Sequence, residues 1–279
     1  VWNGVDQVSD TRRPATFMQV VPGRYRWEFR LDSAEQIDDL IAPARLAELI
    51  RPWTKDVPFA SLEVVRKAEY TFRARIADRW QDGRVFLLGD AAHLTPPFIG
   101  QGLCAAMRDV SNLTWKIAAV LQGRAPEELL ATYQSERSAP AKALIDKAVR
   151  LGVVMTGGPN VMGHVRRVAL AALCRIPGAS TKVLDSPPPP LPTGPLARRS
   201  RGSSLPGTLV PQPWVEWQGD RVRLDEVLGS GFAVLTNAAV EPGLCEVARR
   251  LSAPLIVITP VPVPAAGVAG GDVVVSDSD

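Results

Sequence analysis

The sequence is poor in the features that mark secreted, metal-binding or membrane-spanning proteins. Its 279 residues include three cysteines, Cys104, Cys174 and Cys245, and no two of them form a CxxC pair. Neither a disulfide framework nor a metal site is therefore predicted. The longest strongly apolar stretches, such as 168–174, are far shorter than the roughly 18 residues that a membrane span requires. A cytoplasmic protein without a membrane partner is expected.

The chain also lacks a strong charge of either sign and a dinucleotide-binding glycine motif. Its 32 basic and 29 acidic residues leave a net charge of +3, which indicates no nucleic-acid partner. No GxGxxG segment occurs at any position. The length is sufficient for one large or two ordinary domains with substantial cores.

The most informative stretch that is present is 83–103, with the sequence GRVFLLGDAAHLTPPFIGQGL. Its apolar run 85–88 predicts a buried strand that ends at the carboxylate of Asp90. The next part, 93–99, contains two prolines and can continue neither a helix nor a sheet ladder. Gly100 and the residues after it then open a long helix whose first N–H groups are free to face a ligand. Together these parts predict a site for a large, partly anionic cofactor.

Two alternating segments predict strands of one sheet. In 24–31 large apolar residues alternate with charged ones, which places Tyr25, Trp27, Phe29 and Leu31 on one buried face. The segment 70–76 alternates in the same way and is predicted to be another strand of that sheet.

Two long helices are predicted after the central stretch. The first begins near Gly102 and ends near Gly123, and its apolar residues recur at the spacing of one buried face: Leu103, Met107, Val110, Leu113, Ile117 and Leu121. Pro126 is predicted to start the second helix. Beyond residue 205, short apolar runs predict strands, and one amphipathic segment predicts a helix. Together they predict a smaller α/β unit.

The stretch 83–103 resembles the second flavin-binding motif of the class A flavoprotein aromatic hydroxylases, the group related to p-hydroxybenzoate hydroxylase. The resemblance continues through Arg108-Asp109, Asn112-Leu113, Trp115-Lys116 and the segment 133–137, and it extends into the C-terminal unit. Arg26-Trp27-Glu28-Phe29 and Cys104 are similar to the branch of 3-(3-hydroxyphenyl)propionate hydroxylases.

The resemblance implies an α/β (α+β) fold with four parts. Residues 1–80 would form the substrate-domain sheet and helices, and 81–155 the flavin motif and the long helices. Residues 156–204 would form a helix and a proline-rich linker. Residues 205–279 would form an incomplete thioredoxin-like unit without CxxC, which is expected to serve in packing or in homodimer contact.

The resemblance also implies which residues hold FAD. Asp90 would accept a hydrogen bond from a ribityl or ribose hydroxyl, and Gly89 would allow close approach. Pro97 would flank the reactive edge of the flavin ring. The backbone N–H groups near its N1–C2=O side would come from Gly100, Gln101, Gly102 and Leu103. Three neighbours are expected to be structural: His93, Cys104 and Arg137.

The family mechanism implied by the resemblance uses NAD(P)H and O2 as co-substrates. NAD(P)H reduces FAD, O2 forms a flavin C4a-hydroperoxide, and one oxygen atom passes to a phenolic ring while the other leaves as water. The expected phenol is similar to 3-(3-hydroxyphenyl)propionate.

Departures from the family pattern leave alternatives open. The N-terminal GxGxxG and the middle Asp-Gly motif of the family are absent from this chain. The chain is therefore expected to be a C-terminal fragment that binds FAD poorly by itself. One alternative is another flavin hydroxylase of this fold, acting on polyketide or quinone-like phenols. The other is a truncated, non-catalytic binding or assembly module.

Overall fold

In a computed structural model, the chain divides into two compact units, Val1–Thr208 and Leu209–Asp279. The residues that the structure describes are 5–8, 10, 13–32, 34–55, 57–156, 164–165, 168–169, 172, 175–176, 188–198, 205–260 and 273–277. Most of the helix predicted between 156 and 204 and part of the proline-rich linker lie outside this set, and the described helix residues there are 164–165, 168–169 and 172.

The first unit opens with a three-stranded antiparallel sheet. Its strands β1 (Val5–Val8), β2 (Ala15–Val21) and β3 (Arg24–Phe29) are paired in sequence order. Two helices follow, α1 (Ile37–Ile41) and α2 (Pro43–Thr54), and the second has a proline at its first position, as expected of a helix start.

Aromatic rings join this sheet to α2. The ring centroid of Phe17 lies 5.4 Å from that of Trp27 and 5.6 Å from that of Trp53. Tyr25 stacks on Phe17 at 5.8 Å, and Phe29 meets Trp53 edge-on at 6.2 Å. The predicted common face is therefore confirmed for Tyr25, Trp27 and Phe29, although these side chains are half-buried, and the rings pack it onto α2. Leu31 was expected on the same face but lies after the end of β3.

Four two-residue strands come next. They are β4 (Arg75–Ile76), β5 (Gln81–Asp82), β6 (Val85–Phe86) and β7 (His93–Leu94), and they pair antiparallel as β4 with β7 and β5 with β6. The prediction that 70–76 is a strand of the first sheet is wrong. Only its last two residues pair with another strand. Their partner is β7, because the 3₁₀ turn Gly89–Ala91 directs the chain back alongside β4.

The predicted buried strand 85–88 is also wrong in length and in burial. Its ladder is limited to β6, and Val85 is 65% exposed. The N–H of the next residue, Leu87, still donates to the carbonyl of Trp80. The ladder ends there because the return bond is missing: the carbonyl of Leu87 accepts a hydrogen bond from the hydroxyl of Tyr133 at 2.8 Å, and the N–H of Trp80 donates to the side chain of Gln134. Leu87 and Leu88 pack against the core formed by Trp80 and its neighbours.

Two long helices that contact each other complete this unit, α3 (Gly102–Leu121) and α4 (Glu128–Thr156). The predicted stop is confirmed, since α3 ends two residues before Gly123, which has a φ of 66°. The core between the helices and the small strands contains Trp80, Ala92, Leu113, Tyr133 and Ala141.

The predicted buried face of α3 is wrong for most of its residues, although Leu113 is buried as expected. Four of its six residues are exposed by 40% or more: Leu103, Met107, Val110 and Leu121. The buried face instead consists of Ala105, Asp109, Leu113, Lys116 and Ala119. The helix is turned this way because its two buried charges each meet an opposite charge, Asp109 with Arg137 and Lys116 with Glu136.

The second unit contains a five-stranded sheet. Its strands are β8 (Trp214–Trp217), β9 (Asp220–Arg223), β10 (Val234–Thr236), β11 (Leu255–Pro260) and β12 (Val273–Asp277), in the order β10-β11-β12-β8-β9. Its helices are α5 (Leu224–Leu228) and α6 (Pro242–Leu251). Val215, Leu224 and Ile256 form its core. The predicted α/β character of this unit is confirmed.

Candidate functional site

One buried carboxylate holds the central stretch against the long helices. Asp109 in α3 is fully buried, and its Oδ2 lies 2.7 Å from Nε2 of His93 in β7. Its Oδ1 accepts a hydrogen bond of 2.8 Å from Nε of Arg137 in α4. The backbone N–H of Gly89 donates to Oδ2 at 3.1 Å. A single side chain therefore joins the turn at Gly89 to β7, α3 and α4.

Asp109 stays ionised in this cluster. Burial raises the pKa of its carboxyl, but the hydrogen bonds from His93 and Arg137, with the charge of Arg137, outweigh burial and hold the pKa below its ordinary value. The structural ion pair expected for Arg137 is confirmed. His93 is buried in contact with Asp109, and its Nδ1 has no hydrogen-bond partner among the described residues.

Gly89 is required by both its backbone and its neighbour. Its φ of 54° lies in the left-handed region that favours glycine. A Cβ built on it would lie 2.9 Å from Cβ of Ala106, so a side chain would push the turn away from α3. The structure thus shows a close approach of Gly89 to α3, while its close approach to a cofactor stays a prediction. Asp90 follows on the same 3₁₀ turn, Gly89–Ala91, and is exposed.

A second buried ion pair joins α3 to α4. Nζ of Lys116 lies 2.8 Å from Oε2 of Glu136, and both side chains are buried. Asn112 bridges them, because its Oδ1 accepts from Lys116 and its Nδ2 donates to Glu136. Burial lowers the pKa of Lys116, and the contact with Glu136 opposes that effect. Sequence reasoning noted Asp109, Asn112 and Lys116 as part of a family pattern without assigning them these roles.

The proline loop follows β7 and precedes α3. Pro96 is buried, whereas Pro97 is exposed and begins the 3₁₀ turn Pro97–Ile99. Gly100 closes this turn at a φ of 62° and donates its N–H to the carbonyl of Pro97 at 2.9 Å. The expectation that this N–H faces the flavin is therefore wrong for Gly100, because the turn already uses it. A Cβ built on Gly100 or on Gly102 would meet no atom within 4 Å, so both glycines border open space.

The start of α3 presents unpaired backbone N–H groups. The first helical bond is donated by Ala105 to the carbonyl of Gln101, at 2.9 Å. The N–H groups of Gly102, Leu103 and Cys104 therefore have no acceptor inside the helix, and no side chain caps it. Leu103 is 76% exposed, and Cys104 is a free, exposed thiol. This helix end carries partial positive charge.

The site thus combines a carboxylate-bearing turn, a stiff loop and an open helix start, and the turn is fixed to the same helix, α3, that provides the helix start. Exposed Asp90 can accept hydroxyl hydrogen bonds, and the helix start suits an anionic or carbonyl oxygen. These features fit a flavin nucleotide. Among the described residues there is no cluster of metal-ligating side chains, and no described helix is long and apolar enough to cross a membrane.

Two family profiles match the chain. Residues 11–148 match the FAD binding domain, and residues 207–279 match the HcaD C-terminal domain. The first contains the whole site, and together the two cover about three quarters of the chain.

The chain is similar in sequence to curated hydroxylases from several bacteria. A 3-(3-hydroxy-phenyl)propionate/3-hydroxycinnamic acid hydroxylase of Burkholderia vietnamiensis is 39% identical over 231 residues, which are 81% of this chain and 42% of the relative. A protein of the same description from Mycolicibacterium smegmatis is 37% identical, over 81% of this chain and 41% of that relative. The chain therefore spans less than half the length of these relatives.

Solved structures give the same assignment. Aklavinone-11 hydroxylase, in a ternary complex with FAD and aklavinone, has a TM-score of 0.64 and 28% identity, over 87% of this chain and 46% of that one. CabE, an aromatic hydroxylase from angucycline biosynthesis, has a TM-score of 0.67 at 22% identity, over 96% of this chain and 54% of that one, and shows the fold alone. Residues 11–148 thus belong to the FAD binding domain family and residues 207–279 to the HcaD C-terminal domain family, and in sequence and in fold the chain is similar to part of the FAD-dependent aromatic hydroxylases.

Proposed function

We propose that this chain supplies the flavin-facing part of a monooxygenase that hydroxylates a phenolic ring, with NAD(P)H and O2 as co-substrates. The observation that carries the proposal is the anchoring of the Asp90 turn by Asp109. The same residue lies in α3, whose open N-terminus is the other half of the candidate site. The two groups that would contact a flavin nucleotide are thus fixed to one helix.

The proposed roles follow from the chemistry of these groups. Asp90 accepts a hydrogen bond from a ribityl or ribose hydroxyl, and a charge-assisted bond is about twice as strong as a neutral one. The N–H groups of Gln101, Gly102 and Leu103 face the N1–C2=O side of the flavin, where negative charge is stabilised by a helix N-terminus. Pro97 presents an exposed surface without an N–H donor beside the reactive edge. FAD, when bound, supplies the redox chemistry that activates O2.

The proposed substrate is a phenol similar to 3-(3-hydroxyphenyl)propionate. The basis is the substrate after which relatives that are 37–39% identical to this chain are named. A polycyclic phenol is the second candidate, because the FAD complex that is similar to this chain at 28% identity contains aklavinone. The C-terminal unit is proposed to contribute packing or homodimer contacts.

Turnover of two phenols under ¹⁸O2 tests this function in the full-length protein. With NAD(P)H present, 3-(3-hydroxyphenyl)propionate should gain one labelled oxygen atom on its ring and the second atom should appear in water. Aklavinone, a polycyclic phenol, serves as the matched comparison. Labelling of aklavinone alone would favour the second candidate. If neither phenol gains the label while NAD(P)H is present, the hydroxylase proposal is wrong.

A further inference from the structure

The side chain of Phe98, the residue after Pro97, fills a space that exists because residue 152 is a glycine. Gly152 lies on a buried position of α4. A Cβ built on it would lie 2.4 Å from Cε2 and 2.5 Å from Cδ2 of Phe98. Real Cβ atoms do not approach other atoms so closely, so the ring occupies the place that any other side chain at Gly152 would need.

A second aromatic side chain holds the ring of Phe98 from another direction. The centroid of Phe72 lies 5.6 Å from that of Phe98, in an edge-on arrangement. Phe72 in turn meets Tyr70 edge-on at 4.8 Å, and the Tyr70 hydroxyl accepts a hydrogen bond from Arg26 in β3 at 3.3 Å. The ring of Phe98 is therefore packed between α4 and the pair of Phe72 and Tyr70, and Tyr70 is hydrogen-bonded to the first sheet.

The position of Gly152 argues for a specific role. Glycine inside a helix is less favourable than alanine because it loses more conformational freedom on folding. Nothing in the helix geometry demands it here, since Gly152 does not have a positive φ. The contact with Phe98 is what the structure shows it to provide.

We propose that Gly152 and Phe98 are positioning residues. They hold the loop between Pro97 and Gly102 where its backbone can contact a flavin. Phe98 is in the middle of the 3₁₀ turn Pro97–Ile99, directly between the proline and the glycines. A shift of its ring moves both ends of the turn. This inference rests on the proposed function, because the loop acts on a flavin only if one binds there.

The substitution Gly152→Ala tests the proposal, with Gly243→Ala as its matched control. Gly243 is also inside a helix, α6, and a Cβ there meets no atom within 4 Å. In the full-length protein, Gly152→Ala should speed amide hydrogen exchange between residues 98 and 102. It should also raise the FAD dissociation constant about tenfold, since misplacement on the order of 1 Å has large effects at a site. Gly243→Ala should change neither.

A second substitution separates positioning from general destabilisation. Phe98→Leu in the Gly152→Ala background removes the clash, so the double variant should bind FAD more tightly than Gly152→Ala alone. Phe98→Leu by itself should speed exchange in the loop and shift the visible spectrum of bound FAD. This single variant keeps the test decisive if Gly152→Ala does not fold.

Three outcomes are informative beyond the expected one. Wild-type exchange and FAD affinity in Gly152→Ala would overturn the proposal. So would a double variant no better than Gly152→Ala, because the clash would then not involve Phe98. If the unaltered protein binds no FAD, the proposed function fails, while the exchange comparison still decides whether Gly152 and Phe98 position the loop.

Discussion

At the residue scale, Asp109 joins more parts of the candidate site than any of the residues that would themselves contact a ligand. Its two oxygens receive the Gly89 N–H and the Arg137 guanidinium and contact His93, so three segments depend on its charge. A buried carboxylate is costly unless it is fully paired, and this one is. The Gly89 turn is consequently placed by electrostatics as well as by packing.

Replacing Asp109 by Asn should destabilise the fold strongly. The amide cannot balance the buried charge of Arg137, and loss of one partner of a buried pair costs about 3–5 kcal/mol. Chemical denaturation measures this free energy of unfolding. Asp146→Asn is the control, because its pair with Lys142 is exposed and such pairs contribute about 0–1 kcal/mol. Equal effects of the two substitutions would contradict the role given to Asp109.

The pair of Glu35 and Arg13 predicts a pH dependence. The hydrogen bond from Arg13 lowers the pKa of Glu35 from 4.5 to about 2. Because the folded-state pKa is the lower one, this pair stabilises the fold above pH 4.5, and the contribution is lost as the pH falls from 4.5 towards 2. Unfolding free energies measured across this window should fall less steeply for Glu35→Gln than for the wild type. Parallel curves would show that the pair does not contribute.

At the element scale, α3 shows what a sequence pattern can and cannot predict. Its start near Gly102 and its stop before Gly123 were predictable, because backbone chemistry fixes both ends locally. Its orientation was not. Apolar periodicity favoured the face with Leu103 and Met107, whereas two buried ion pairs turn Asp109 and Lys116 inward. Pairing partners that are distant in sequence cannot be identified from one helix alone.

The pair of Lys116 and Glu136 gives an element-scale prediction about how α3 and α4 are joined. Lys116→Met should destabilise the protein by about 3–5 kcal/mol, because Glu136 is left as an uncompensated buried charge. The double substitution Lys116→Met with Glu136→Leu should recover most of that loss, since apolar replacement of a whole buried pair is often neutral. Thermal or chemical unfolding of the three proteins measures both effects. A double variant less stable than Lys116→Met would contradict this view of the pair.

At the scale of the whole molecule, the segment 70–76 shows the limit of alternation as evidence for a strand. The segment 70–76 alternates as a strand should, but alternation does not say which strand is its neighbour. The structure pairs only Arg75–Ile76, and with β7. In the second unit the predicted α/β pattern is confirmed, yet the strand Trp214–Trp217 was not predicted, since it directly follows Pro211 and Pro213, which are typical of a loop. The candidate site was predictable because its residues are contiguous in 83–103, whereas its support from Asp109, Arg137 and Gly152 comes from separate helices.

The measurement that tests the central claim most directly is a titration of FAD into the full-length protein and its Asp90→Ala variant. Loss of a hydrogen bond to a charged group, worth about 1.5–3 kcal/mol, should weaken FAD binding by about tenfold to a hundredfold. Asp78→Ala is the matched control, because Asp78 is also exposed and lies outside the turn, and it should bind FAD like the wild type. Wild-type affinity in Asp90→Ala, or no FAD binding by the unaltered protein, would contradict the flavin site described here.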